Sequence, residues 1–173
     1  MTLEKAMAAT FRLDGDGWQR HANPWSVYTR IPIPALMAAA VWSRDWIGWW
    51  ALVPVTAVVA WAVVNPTFFR PPPSLDHWAS RAVLGETYWA DRTTVPVPLH
   101  HRRAPVVLTI INTTGLPFVI WSLVTLDFWM LCFGLAVHMA GKNWFMDRMT
   151  LLYDEMTGAN AQGQALVGLE LAR

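Results

Sequence analysis

The side chains able to do chemistry fall into five separated blocks: His21, Asn23, Ser26 and Arg30; Asn65 and Arg70; His77, Ser80, Arg81 and Glu86; His100, His101, Arg102 and Arg103; and Lys142, Asn143, Asp147 and Arg148. Guanidinium forks and an ammonium are suited to phosphate or carboxylate, and the two asparagine amides add neutral hydrogen bonds. The chemistry expected is therefore recognition of an anionic head group. Arg30, Arg70 and Arg148 would hold the head, with His21, Asn23, Asn65, Arg81, Lys142 and Asp147 lining the same pocket. Glu86 stands apart. Leu75, Trp78, Ala79, Ala82, Val83 and Trp89 make one apolar helical stripe, and Glu86 projects near its middle. A carboxylate there needs a cationic partner or a raised pKa; the alternative is that Gly85 breaks the helix and frees Glu86 to water. Glu86 is expected to act as counter-ion or proton acceptor, and it and His77 are the candidates for any catalytic role. No catalytic motif is recognised.

Other chemistries fit poorly. A membrane di-iron centre needs many closely spaced histidines, whereas the chain has 5, with one adjacent pair, His100-His101. Haem would need a second intramembrane histidine opposite His138, which reads instead as a hydrogen-bonded interior residue. There is no serine nucleophile elbow and no phosphate-binding glycine loop. Asp14-Gly15-Asp16-Gly17 resembles the start of a calcium loop, but the remaining oxygen ligands are missing, so a turn is expected. Cys132 is the only cysteine, excluding an internal disulfide and reading as a packed thiol. The net charge of +1 gives no nucleic-acid footprint. No metal site and no cofactor are expected; a bound lipid is compatible with the pattern.

The elements that must position these residues read as membrane spans. The chain has 173 residues, 54% hydrophobic and 14% charged, which suits one domain too apolar for an ordinary soluble protein. An all-α fold is expected: a four-transmembrane-helix bundle of two hairpins with amphipathic surface helices on the cytoplasmic side. The spans are placed at about 25–43, 46–64, 105–125 and 128–146. Of 13 lysines and arginines, only Arg44 lies in the two tight turns. The others occupy the N-terminal arm, the central loop and the C-terminal arm, which puts both termini in the cytoplasm of a multi-pass inner (plasma) membrane protein. Antiparallel packing then gathers the five blocks at one end.

Of the 12 tryptophans, 11 form two belts, with Trp42, Trp46, Trp49, Trp50, Trp121 and Trp129 around the turns and Trp25, Trp61, Trp78, Trp89 and Trp144 at the opposite level. Residues 1–24 read as an interfacial arm, with an amphipathic helix over 1–13 capped by Thr2 and no removable signal. The first span is short, and Asn23-Pro24 favours a helix that begins there and kinks at Pro32 and Pro34; a separate dipping segment over 25–30 is the alternative. Pro54 is expected to bend the second span. In the central loop, Ser74 is expected to cap a helix over 74–90. The third span carries Asn112, Thr113, Thr114, Gly115 and Pro117, read either as helix packing through small residues or as the broken helix of a substrate path. Residues 157–173 read as a flexible tail.

The blocks HANPWSVYTR from His21, NPTFFRPPP from Asn65, HWASRAVLGE from His77, VPLHHRRAP from Val97 and GKNWFMDRMTLLYD from Gly141 resemble an uncharacterised prokaryotic family of small four-span membrane proteins, a domain of unknown function. The resemblance runs from about His21 to Asp154, and it implies topology and motif location but no activity. Two other classes stand beside ligand binding: a non-catalytic accessory subunit of a larger membrane complex, and a small transporter. Membrane lipids are the expected partners, with a homo-oligomer or a larger complex compatible with the tryptophan-rich exterior.

Overall fold

The computed structural model describes residues 15–171, and side chains from 17 to 158. The helix expected over 1–13 lies outside the described residues. Everything regular among them is helical. In order they form α1 (Gly15–His21), α2 (Pro24–Arg30), α3 (Ile33–Trp42), the single turn α4 (Arg44–Ile47), a 3-10 turn (Gly48–Ala51), α5 (Leu52–Phe68), α6 (Trp78–Ala90), a second 3-10 turn (Leu99–His101), α7 (Arg103–Thr125) and α8 (Phe128–Leu171).

Local sequence explains most boundaries. Asn23 caps α2 by accepting the Trp25 N–H at 2.9 Å, with Pro24 at the first helical position, where its missing N–H costs nothing. The helix stops before Pro32, whose ring cannot continue the ladder, and α3 restarts with Pro34 in its first turn. The first stretch is thus two helices broken at the prolines. The following turn is wider than the Arg44-Asp45 corner suggests: Gly48 has φ +57° and ψ −130°, a backbone suited to glycine, and α5 begins only at Leu52. Pro54 therefore falls in the first turn of α5, and the helix runs past residue 64 to Phe68. At the other turn, Leu126 takes a left-handed conformation and its N–H returns to the Ser122 carbonyl. Asp127 then caps α8 through the Met130 N–H at 3.0 Å.

α7 and α8 pack closely because glycine lets their backbones meet. A Cβ on Gly115 would lie 2.6 Å from the Gly134 oxygen, and one on Gly141 2.6 Å from the Asn112 nitrogen. α7 continues unbroken through Pro117, and His138 Nδ1 lies 3.1 Å from the Asn112 carbonyl oxygen. In the polar stretch 112–117, Gly115 and Asn112 meet α8 while Thr113, Thr114 and Pro117 stay exposed, and the helix runs through it without a break; His138 is half-buried and hydrogen-bonded.

Several expectations give way to local contacts. α6 starts at Trp78, capped by His77 Nδ1, which accepts the Ala79 N–H at 3.3 Å. Ser74 instead turns on Asp76: its hydroxyl donates to Asp76 Oδ2 at 2.6 Å and accepts the Asp76 N–H at 3.1 Å, a local bond that competes with helix. The residues after Gly158 continue α8 in helical conformation through Leu171, and Gly15–His21 is helical where a turn was expected. Cys132 is exposed on α8, not packed.

The turn ends and the polar ends separate cleanly. Arg44 Nη2 donates to the Leu123 carbonyl, so the first turn sits beside the end of α7. At the opposite end, Ala22, Val27, Ala79, Ala82, Val83 and Met146 form one buried cluster and Trp89, Val97, Met149 and Leu152 another. Trp89 is thus core, not belt. Two helical runs, Pro24–Phe68 and Leu99–Thr125, are long and apolar enough to cross a membrane, and the first contains the α3–α5 hairpin. The start of α8 is less apolar because His138, Lys142 and Asn143 interrupt it.

Candidate functional site

α6 crosses α8 at Gly85. A Cβ there would fall 1.9 Å from the Met149 oxygen, so glycine permits the contact and the helix is not broken. That crossing directs the next residue, Glu86, onto α8, where its Oε1 accepts from Lys142 Nζ at 2.8 Å. The carboxylate on the apolar stripe has found a cation. Glu86 also lies within electrostatic reach of Arg30, and Lys142 within reach of His21. Four of the expected residues, from α1, α2, α6 and α8, thus share one half-buried cluster.

Within it, Arg30 is heavily committed. Its Nε–H donates to the Ser26 carbonyl at 3.0 Å, Nη2 to the His21 carbonyl at 3.2 Å, and Nη1 to the His21 ring. Burial first, then Arg30 and Lys142, push the His21 imidazole down to about 2, so the ring is neutral and accepts. Trp18 stacks edge-on against it at 5.7 Å.

A second group is purely structural in its bonding. Asn65, fully buried in α5, accepts from Ser26 Oγ at 2.9 Å and donates to Thr29 Oγ1 at 2.8 Å. Asn23 Nδ2 donates to the Arg70 carbonyl at 2.8 Å, closing the start of α2 onto the end of α5. The Arg70 side chain is exposed and has no partner among the described residues. Sequence spacing indicated Asn23, Ser26, Asn65 and Arg70 but not Thr29, nor the bonds that join them.

The remaining expected residues lie on the flanks. Arg81 pairs with Asp154 at 3.0 Å on the α8 extension, and His77 stacks edge-on with Tyr28 at 5.7 Å. Asp147 is exposed and Arg148 half-buried; neither pairs with a described side chain. A separate cluster was not anticipated: Glu155 Oε2 lies 2.9 Å from both His100 Nε2 and His101 Nε2. Those two hydrogen bonds hold the Glu155 carboxyl below its ordinary range. The histidine pair was visible in the sequence, but its partner 54 residues on carried no spacing signal.

An open groove of about 570 Å³ lies at the turn end, lined by Val41, Arg44, Asp45, Gly48, Trp49, Ala51, Leu52 and Val55, away from these polar clusters. Its lining is largely hydrocarbon and indole.

The chain belongs to a family of unknown function (DUF6653), whose model matches residues 2–168. No curated protein and no solved structure matches it.

Proposed function

We propose that this is an integral membrane protein crossing the bilayer four times, through α2–α3, α5, α7 and the start of α8, with both ends and the central loop in the cytoplasm. In the cytoplasmic interface it binds the anionic head of an amphipathic ligand, a lipid or isoprenoid-like molecule, whose tail lies along the helices. The observation that carries this reading is the charge of the half-buried cluster. Arg30 and Lys142 face a single carboxylate, Glu86, beside an imidazole that is neutral. Two cations against one anion leave a surplus positive charge where water is partly excluded, and an anionic head would offset it. The exposed side chain of Arg70, whose backbone carbonyl Asn23 binds, would extend the donor set.

Support for the membrane comes from what the helices leave uncovered. In the Pro24–Phe68 run only 6% of the apolar window is buried within the chain. Val53, Val59, Val63, Ile110 and Ile120 are all exposed, a face that water would not tolerate but acyl chains would. Trp46, Trp49, Trp50 and Trp129, each more than 70% exposed, mark the turn end as a headgroup belt.

Native mass spectrometry of gently extracted protein tests the ligand. The account expects an anionic lipid adduct on the wild type that weakens in Lys142→Gln and Arg70→Gln. An adduct pattern unchanged by Lys142→Gln or Arg30→Ala would overturn it. A second reading, an accessory subunit, is favoured by one observation: Arg30 and Arg81 already serve internal carbonyls and Asp154. Co-purification of a stoichiometric partner, lost when Trp49 and Trp129 are replaced by alanine, would support it.

A further inference from the structure

We propose that His100, His101 and Glu155 form an open-coordination site for a divalent transition-metal ion of the zinc type, tying the central loop to the extension of α8. This lies apart from the anion cluster and is independent of it.

The donor set selects the metal class. Two imidazole nitrogens and one carboxylate oxygen suit zinc or another borderline first-row ion, whereas magnesium and calcium take oxygen ligands throughout. The three donor groups already converge. Both Nε2 atoms stand 2.9 Å from the same Glu155 oxygen, and all three donor atoms lie within 4.8 Å of one another. Metal bonds of about 2.0–2.2 Å place tetrahedral donors about 3.3 Å apart, so each histidine–carboxylate separation would open by a few tenths of an ångström while the two nitrogens, within 4.8 Å of each other, settle at about the same spacing. On binding, each imidazole carries its proton on Nδ1 and gives its Nε2 lone pair to the metal. Three protein ligands on one side leave the remaining position for water, as in sites with an open coordination place.

The ligands are held before any metal arrives. Pro98 precedes the 3-10 turn Leu99–His101 that carries both histidines, and the Arg102 Nε–H fastens the turn by donating to the Val97 carbonyl at 3.1 Å. Val97 is buried against Met149 and Leu152, the latter one helical turn before Glu155. The loop and the helix are thus clamped within a few ångströms of the site. The His101 side chain is 10% exposed and that of His100 66%, so one ligand is fixed inside while the other faces water from which an ion can enter. Two imidazoles converging on a single carboxylate oxygen bring three potential donor atoms to one place.

The test uses the full chain in detergent, stripped with chelator, dialysed and titrated with zinc chloride by calorimetry, with stoichiometry read by native mass spectrometry. One zinc per chain is expected, with a raised unfolding temperature. Affinity should fall at least about 100-fold in the double variant His100→Gln with His101→Gln and about 10-fold in Glu155→Gln. Failure of the wild type to bind zinc, or equal isotherms for wild type and both variants, would overturn the proposal. Should the double variant not fold, Glu155→Gln decides: cobalt(II) bound in place of zinc should change its visible spectrum when the carboxylate is lost, and an unchanged spectrum refutes the site.

Discussion

Replacing Gly85 by alanine should destabilise the protein, although alanine is the better helix former by about 1 kcal/mol. The added methyl would lie 1.9 Å from the Met149 oxygen, 2.6 Å from its carbonyl carbon and 3.1 Å from its Cα. All three are backbone atoms of α8, so no side-chain rotation relieves the clash. Ordinary carbon–oxygen contact requires α6 and α8 to part by more than about 1 Å, and such overpacking costs about 1–3 kcal/mol or more. That exceeds the propensity gain. The same movement would draw Glu86 from Lys142 and Arg81 from Asp154, because both pairs span the crossing. Thermal unfolding in a fixed detergent is the assay, with Gly158→Ala as control, since nothing lies within 4 Å of a Cβ there. The expected result is a lowered midpoint for Gly85→Ala and an unchanged or raised one for Gly158→Ala. A Gly85→Ala variant as stable as the control would refute the close crossing.

Acidification should destabilise the folded chain through His21. Its folded-state value, pushed down to about 2 by burial, Arg30 and Lys142, lies below the ordinary 6.5, so the unfolded chain binds the extra proton. Stability is therefore complete well above pH 6.5 and falls as pH drops through it, by about 1.4 kcal/mol between pH 7.5 and 5.5. Melting curves at pH 7.5 and 5.5 should show this, and His21→Gln should flatten the difference; an equal slope in the variant would contradict it. Asn65→Ala removes the partners of Ser26 and Thr29 in a buried site and should cost about 1–3 kcal/mol by chemical denaturation; a neutral result would mean the network is not formed. In the anion cluster, Glu86→Gln should strengthen retention of an anionic lipid and Lys142→Gln should weaken it, compared at equal lipid load in nanodiscs. Stability should change little in either, because a half-exposed ion pair contributes about 0–1 kcal/mol. Opposite signs, or no difference between the two, would sink the surplus-charge argument.

What could be read from the residues followed from strong local rules. Asn23-Pro24 announced a helix start, the proline pair announced a kink where the chain in fact breaks into two helices, and the apolar stripe around Glu86 announced that this carboxylate needed a cation or a raised pKa, the cation being Lys142. The uneven distribution of basic residues left Arg44 alone in the two turns, and it bonds the end of α7 at Leu123. What the residues hid were consequences of tertiary contact. Trp89 carries the same indole as the exposed tryptophans, yet packing against Met149 and Leu152 makes it core. Gly85 has the composition of a helix breaker and acts as a crossing point, because only the partner helix supplies the reason for its missing side chain. Glu155 is separated from His100 and His101 by the whole of α7, so no spacing pattern could join them. Ser74 and His77 both have capping chemistry, and the choice between them was made by Asp76, which engages Ser74 locally.

The proposed sidedness has the polar clusters facing the cytoplasm and the Trp49 turn facing outward. With Cys132 changed to serine, single cysteines placed by Trp49→Cys and Leu75→Cys occupy positions that are 87% and 41% exposed. A membrane-impermeant maleimide applied to intact cells should label Trp49→Cys at once and Leu75→Cys only after permeabilisation. Labelling of Leu75→Cys from outside intact cells would contradict the account.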